Sequence, residues 1–97
     1  MIVRICSDFV ASDNVEAYLQ ELRRTIVPLY SSSPGLVSVS VLRRQLVAYG
    51  EISVGSTWES QDAMNDFYLH KPSLQPGLQH CVLRGQPITY DVVFHTS

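Results

Sequence analysis

The chain has 97 residues, of which 45% are hydrophobic and 16% are charged, a low charged fraction for a globular protein. Seven basic and nine acidic residues give a formal net charge of −2, so the chain lacks the basic footprint of a nucleic-acid-binding protein. This length predicts one domain over residues 1–97. A small, lightly charged domain also indicates a surface that a partner covers.

The sequence gives no sign of membrane insertion or of a metal site. No apolar run approaches the ~18–20 residues of a membrane-spanning helix, and the N-terminus lacks the pattern of a signal peptide. We therefore expect a cytoplasmic protein that does not bind membranes. Cys6 and Cys81 belong to no Cys-x-x-Cys motif or Cys/His cluster, so we expect no metal ligands.

The first half of the chain predicts a strand, a helix and a hairpin. Residues 2–9 alternate as in a strand, and Asp13 with Glu16 forms a capping box that predicts a helix start. We expect Pro28 and the run at residues 31–35 (SSSPG) to end this helix and form a turn. Residues 36–42 and 51–57 predict two strands with a fairly long connection. The apolar helix positions recur every three or four residues: Val15, Tyr18, Leu19, Leu22, Ile26 and Leu29.

The second half predicts a helix that Ser60 caps and Pro72 ends. Residues 73–85 predict a further short helical segment, and residues 88–95 alternate as a final strand. The order β-α-β-β-α-β predicts an α+β, ferredoxin-like fold, in which a four-stranded antiparallel sheet carries both helices on one face. The apolar face of the second helix comprises Ala63, Met64, Phe67 and Tyr68.

Both alternating sets of the first and last predicted strands contain apolar side chains. A sheet with one solvated face alternates more strictly between apolar and polar residues. We therefore expect the face without helices to pack against a second copy, giving a homodimer.

Two segments resemble the antibiotic-biosynthesis-monooxygenase family. Residues 34–43 (PGLVSVSVLR) resemble its turn and following strand, and residues 57–64 (TWESQDAM) resemble its strand end, Trp-Glu-Ser turn and helix start. The resemblance implies a dimeric α/β barrel with a pocket between each sheet and its own helices. It also implies oxygenation of a quinol, an anthrone or a similar aromatic molecule without metal or flavin, because the substrate anion itself reacts with oxygen.

Three polar residues of the second predicted helix are candidates for catalysis. His70 is a candidate general base, since the ordinary pKa of histidine lies near ~6.5, although it could equally be a solvated residue near a helix end. Tyr68 is a candidate donor to a substrate oxygen, and Asn65 shares its helix face. His80 is a further, weaker candidate, and we expect His95 to be solvated.

The predicted pocket wall is centred on Trp58, which matches the family position. The alternative is core packing, which is the usual role of a tryptophan at a strand–helix junction, with its indole N–H bonded to the backbone. Arg43 and Arg44 should point to opposite faces of the sheet, so that one reaches the pocket or the dimer contact. The other predicted pocket residues are Tyr18, Phe67 and Met64.

The first strand departs from the pattern of the haem-degrading relatives. Those proteins combine an Asn on this strand with the Trp and a helix His, whereas this strand offers Cys6 and Ser7. We therefore disfavour haem degradation. The alternative to an oxygenase is a non-catalytic dimeric module of the same fold, which binds a ligand or regulates a partner.

Overall fold

The computed structural model describes residues 1–70 and 81–96. A single turn of 3-10 helix at Ser12–Asn14 connects the first strand to the first helix. The other elements follow in the order β1 (Ile2–Ala11), α1 (Val15–Ser31), β2 (Leu36–Gln45), β3 (Tyr49–Trp58), α2 (Gln61–His70), β4 (Cys81–Arg84) and β5 (Ile88–Asp91).

The strands form one antiparallel sheet in the order β2-β3-β1-β4, and β5 also pairs with β1. On one side, β1 pairs with β3 along its whole length. On its other side, β5 lies opposite Ile2–Ile5 and β4 lies opposite Asp8–Val10. Two short segments thus occupy the place of the fourth predicted strand, and the predicted α+β, ferredoxin-like fold is confirmed.

The prediction for the C-terminal part of this sheet was wrong in two respects. Residues 81–84 form a strand rather than a helix, because pairing with the edge of β1 satisfies their backbone and outweighs a local apolar spacing. The last strand ends at Asp91, not at residue 95. Gly85, whose amide donates to the Ser7 carbonyl at 2.7 Å, and Pro87 lie at the break between the two strands. Residues 73–80 and Pro72, which had predicted helical and stop roles, lie outside the described residues.

Helix α1 begins later than predicted, and Pro28 does not end it. Asn14, not Asp13, occupies the cap position, and no side chain caps the helix there. Pro28 lies inside the helix, which continues to Ser31. The extra turn buries Tyr30 in the core, and the hydroxyls of Ser31 and Ser33 donate to carbonyls of the last turn at 2.7 and 2.9 Å.

The hairpin is longer and more tightly connected than predicted. Its strands have ten residues each, and residues 46–48 alone connect them. The Leu46 amide donates to the Tyr49 carbonyl at 2.7 Å and closes the turn. The predicted cap of α2 is confirmed, since the Ser60 hydroxyl accepts from the Ala63 amide at 3.1 Å.

Side chains of β1 alternate between the two faces of the sheet. Ile2, Asp8 and Val10 are buried, and Arg4 lies over a tyrosine ring of α2, so the even-numbered residues face the helices. The core on this side combines one face of each helix with β1 and β3: Ile2, Val10, Val15, Tyr18, Leu22, Ile26, Tyr30, Ile52, Trp58, Met64 and Phe67.

The opposite side of the sheet, here called the open face, is rich in apolar side chains. Leu42, Leu83, Ile88 and Tyr90 lie in register with the odd-numbered residues of β1 or with their neighbours in β3. Each of the four is more than half exposed. The apolar second face predicted from the sequence is therefore present. Neither described helix is long and apolar enough to span a bilayer.

The turn before β2 depends on Gly35, which has a φ of +81°. A Cβ at this position would lie 2.5 Å from the Cβ of Ala63 on α2. We expect Gly35→Ala to lower the free energy of unfolding by about 1–3 kcal/mol, through backbone strain and displacement of α2. Urea denaturation at fixed protein concentration measures this change.

The matched control is Gly55→Ala on β3. A Cβ there lies on the open face and meets no described atom within 4 Å, so we expect a loss much smaller than that of Gly35→Ala. Equal losses in the two variants would contradict the role assigned to Gly35.

Candidate functional site

An aromatic cluster lies where the end of α1, the second half of α2 and the end of β3 meet. Trp58 is fully buried at its centre. The Trp58 ring centroid lies 5.1 Å from that of Phe67, 6.1 Å from that of Tyr68 and 6.3 Å from that of Tyr30. The tilted and edge-on ring geometries are those that aromatic pairs prefer. The cluster therefore forms a rigid wall at one end of the sheet.

A chain of hydrogen bonds runs through this cluster. The Trp58 indole donates to the Ser56 hydroxyl at 2.9 Å, since both residues project from the same face of β3. The Ser56 hydroxyl lies 3.4 Å from the Tyr68 hydroxyl, which lies 2.5 Å from that of Tyr30. Thus Tyr68, which is half-buried, connects the cluster to the space nearer solvent.

Arg4 completes this end of the site. It lies directly opposite Ser56 in the β1–β3 register, and its guanidinium carbon is 3.8 Å from the centroid of the Tyr68 ring. This is a cation–π contact. No carboxylate of the described residues forms an ion pair with Arg4, so its N–H groups can serve a ligand.

A second polar group lies farther along the same face of β1. Asp8 is 94% buried, its Oδ2 accepts from the Tyr18 hydroxyl, and the Arg84 Nη1 atom lies 3.4 Å from that oxygen. Arg84 comes from β4 and lies opposite Asp8 in the register. The other carboxylate oxygen, Oδ1, has no hydrogen-bond partner among residues 1–70 and 81–96.

Arg4, Cys6 and Asp8 thus form a polar row on the helix-facing side of the central strand. The two ends are four positions apart, a span of about 13 Å along a strand. One end offers a cation and the Tyr68 hydroxyl, which suit a developing oxyanion. The other end offers a buried carboxylate that can accept a proton. Within the described part of the chain, no group of three or more metal-ligating side chains occurs.

Four of the predicted pocket residues lie in the core beside this row. Trp58, Phe67 and Met64 are buried together, and buried Tyr18 binds the Asp8 carboxylate. Arg43 lies elsewhere: it pairs with Glu16 at 2.8 Å, beside a groove of about 700 Å³ between α1 and β2.

The structure brings only one of the predicted catalytic residues, Tyr68, into the site. His70 is exposed, and its Nδ1 atom lies 2.9 Å from the Asp66 carbonyl, beside a hollow of about 140 Å³. Asn65 is exposed and accepts a hydrogen bond from Gln61 at 3.1 Å. Their catalytic roles stay predictions. His80 lies outside the described residues, and His95 is exposed.

Sequence reasoning missed Arg4, Asp8, Tyr30 and Arg84. A signal existed for the first two, because Arg4, Cys6 and Asp8 make one alternating set of the first strand markedly polar. Tyr30 follows Ile26 by four residues and so continues the apolar stripe of α1. Arg84 carried no local signal, since its place opposite Asp8 depends on a pairing between distant segments.

The fold is shared with known oxygenases and haem-binding proteins. A protein from Nitrosomonas europaea assigned as an antibiotic biosynthesis monooxygenase superposes with a TM-score of 0.76 and 14% identity, over 97% of this chain and 100% of that one. SnoaB, a cofactor-independent oxygenase from Streptomyces nogalater, superposes with a TM-score of 0.67 and 16% identity, over 97% of this chain and 95% of that one. The haem-degrader MhuD from Mycobacterium tuberculosis was solved with two haems in its active site. It superposes with a TM-score of 0.69 and 16% identity, over 100% of both chains.

Family models and curated protein sequences gave no match to this chain. At these identities the structural comparisons establish the fold alone. The resemblance inferred from the two sequence motifs is thus confirmed at the level of the fold.

Tyr30 has an electrostatic signature that a titration can detect. Burial raises the pKa of its phenol well above the ordinary value, and the neighbouring Tyr68 hydroxyl adds to the rise. The folded protein therefore keeps this proton at a pH where the unfolded chain loses it. The contribution of the Tyr30 phenol to the free energy of unfolding is therefore fully present below the pKa of tyrosine in the unfolded chain, near ~10. It decreases as the pH rises above that value.

We expect Tyr30→Phe to reduce this alkaline loss, because the variant has no phenol to ionise on unfolding. The measurement is the free energy of unfolding in urea at several pH values from neutral to strongly alkaline. Identical alkaline slopes for wild type and Tyr30→Phe would contradict the raised pKa.

Proposed function

We propose that this protein is a cofactor-independent oxygenase that binds a quinol, an anthrone or a similar phenolic aromatic along the polar row. The observation that supports this most directly is the placement, on one face of one strand, of a guanidinium without an ion-pair partner and a buried carboxylate with one unbonded oxygen, both judged over residues 1–70 and 81–96. Between Arg4 and Asp8 the row spans about 13 Å, the scale of a fused aromatic ring system. The fold shared with SnoaB supports the same reaction class.

The proposed reaction begins with removal of a proton. Oδ1 of Asp8 accepts it from the substrate, and the remaining charge delocalises onto the substrate oxygen. Arg4 and the Tyr68 hydroxyl donate to that oxyanion and stabilise it. Trp58 holds Tyr68 and the sheet in a fixed geometry, so these donors need little rearrangement as the charge develops.

The electron-rich carbanion then attacks molecular oxygen. The resulting peroxide takes a proton to become a hydroperoxide, which loses water and leaves a carbonyl group. For an anthrone, the methylene group and O₂ become C=O and H₂O. All four electrons come from the substrate, so the balance requires no external reductant.

The assembly that we propose is a homodimer that packs the open faces of two sheets together. Leu42, Leu83, Ile88 and Tyr90 expose apolar surface there, and neither helix of the described residues covers it. Pairing two such faces would remove this surface from water, at about 25 cal/mol per Å² of apolar area. The polar rows would remain on the helix-facing sides, one in each subunit.

The activity test is oxygen uptake with 1,8-dihydroxyanthrone and a set of quinols, with no added metal or cofactor, corrected for uncatalysed autoxidation. We expect Asp8→Asn to lower kcat/KM by about 100-fold or more, because it removes the proton acceptor. Arg4→Gln should cause a loss of about 100-fold by removing an oxyanion donor. Mass spectrometry with ¹⁸O₂ should find one labelled oxygen in the quinone product.

The matched control is Arg24→Gln, which removes an exposed cation from α1 and should leave the rate unchanged. His70→Ala tests the sequence prediction for that residue: a loss as large as that of Asp8→Asn would move the base to α2. A folded wild type that consumes no oxygen above autoxidation with any of these substrates would contradict the proposal. The remaining interpretation would be a non-catalytic ligand-binding module.

The dimer is tested by Ile88→Lys, which places a charge on the open face. We expect a dimer for the wild type and a monomer for this variant in sedimentation velocity at micromolar concentration, because the charge would be buried without a partner. The control Val47→Lys alters an exposed apolar residue in the hairpin turn and should remain dimeric. A monomeric wild type would contradict the proposed assembly.

A further inference from the structure

Arg84 presents two donors that nothing in the described structure uses. Its Nη1 atom faces Asp8, whereas its Nε and Nη2 atoms are buried and have no hydrogen-bond partner among the described residues. Asp8 Oδ1, which is also buried, has no hydrogen-bond partner in the same part of the chain. Buried polar groups are almost always hydrogen-bonded in folded proteins, so three orphaned atoms on one ion pair call for a physical reason.

The two unused nitrogens of Arg84 form a recognition edge. The N–H bonds of Nε and of one Nη2 hydrogen run nearly parallel, and their spacing matches the two oxygens of a carboxylate. Asp8 does not occupy this edge, because its contact is with Nη1. The guanidinium can therefore hold Asp8 and a second carboxylate at the same time.

The charge around this edge favours a monoanion. Arg84 and Asp8 together are neutral, so a bound carboxylate brings the group to a net charge of −1. A dianionic phosphate would bring it to −2 beside a buried carboxylate, where like charges repel strongly. A planar carboxylate also fits the planar fork better than a tetrahedral group does.

We propose that the substrate is an aromatic carboxylic acid, whose carboxylate binds the Nε and Nη2 edge of Arg84. This inference rests on the proposed function, since it takes the polar row as the substrate site, and it narrows the substrate class. The ion pair places the ring system beside Oδ1 of Asp8, the atom that accepts the proton. The far end of the rings then reaches Arg4 and Tyr68.

Arg84 lies at the border of the buried region, where a ligand can reach it. The side chain is 28% exposed even though its two donor atoms are shielded. Ligand binding would therefore require this side chain to move and uncover the edge. The bidentate contact would then form in surroundings with little water, where it is stronger than on the surface.

Binding of a matched ligand pair tests the inference without requiring turnover. Anthraquinone-2-carboxylate and its methyl ester share a ring system that cannot be deprotonated and oxygenated as an anthrone is. Trp58 is the only tryptophan of the chain, so quenching of its fluorescence reports occupancy near the aromatic cluster. We expect the wild type to bind the carboxylate at least about tenfold more tightly than the ester.

Variants of Arg84 test whether its Nε and Nη2 edge causes this preference for the acid. Arg84→Gln should bind acid and ester equally. Arg84→Lys keeps a cation facing Asp8 but lacks the parallel donors, so it should retain only part of the preference for the acid. Because it keeps the charge beside Asp8, this variant still gives a result if the glutamine variant does not fold. Arg24→Gln, which removes an exposed cation, should keep the full preference.

Two results would overturn the inference: equal or undetectable binding of acid and ester by the wild type, or an undiminished preference in both Arg84 variants. These outcomes are separate from those of the oxygen-uptake test. Oxygen uptake with carboxyl-free anthrones and no preference for the acid would leave the oxygenase proposal standing and reject the carboxylate site. A clear preference for the acid without any oxygen uptake would leave the carboxylate site standing and reject the oxygenase proposal.

Discussion

The continuous antiparallel pairing of β1 with β3 is the constraint on which the site depends. It places Ile2 opposite Trp58, Arg4 opposite Ser56 and Asp8 opposite Ile52. A slip of one residue would turn every side chain of β1 to the other face. Arg4 and Asp8 would then leave the helices, and Val3 and Phe9 would enter the core. The same register thus positions the polar row inside and an apolar surface outside.

Much of the fold follows from local sequence patterns. The predicted secondary structure is wrong where contacts between distant parts of the chain determine it. The alternation in the strands and the apolar stripe of α1 give the element order and the packing of both helices. Pro28 predicts a helix end, yet burial of Tyr30 and bonds from serine hydroxyls carry α1 one turn further. Residues 81–84 have an apolar spacing that suits a helix, yet β1 has an edge that they pair with. No local pattern contains that information.

The candidate site was predictable only in part for a similar reason. Trp58 could be predicted because it lies in a motif that resembles the family, and Tyr68 because it lies on the apolar face of the second helix. Alternation shows that Arg4, Cys6 and Asp8 share a side of the first strand, but not which side the helices cover. The more apolar set of this strand belongs to the open face, contrary to the ordinary arrangement of a solvated sheet. Arg84 joins the site only through its register with Asp8.

The central claim is that the polar row of β1 is where the ligand binds. A crystal structure of the protein with anthraquinone-2-carboxylate tests it most directly. We expect density for the ring system along the helix-facing side of β1, with the carboxylate on Arg84 and the far ring beside Tyr68. Density in the groove between α1 and β2 next to Arg43, or on the open face, would contradict it.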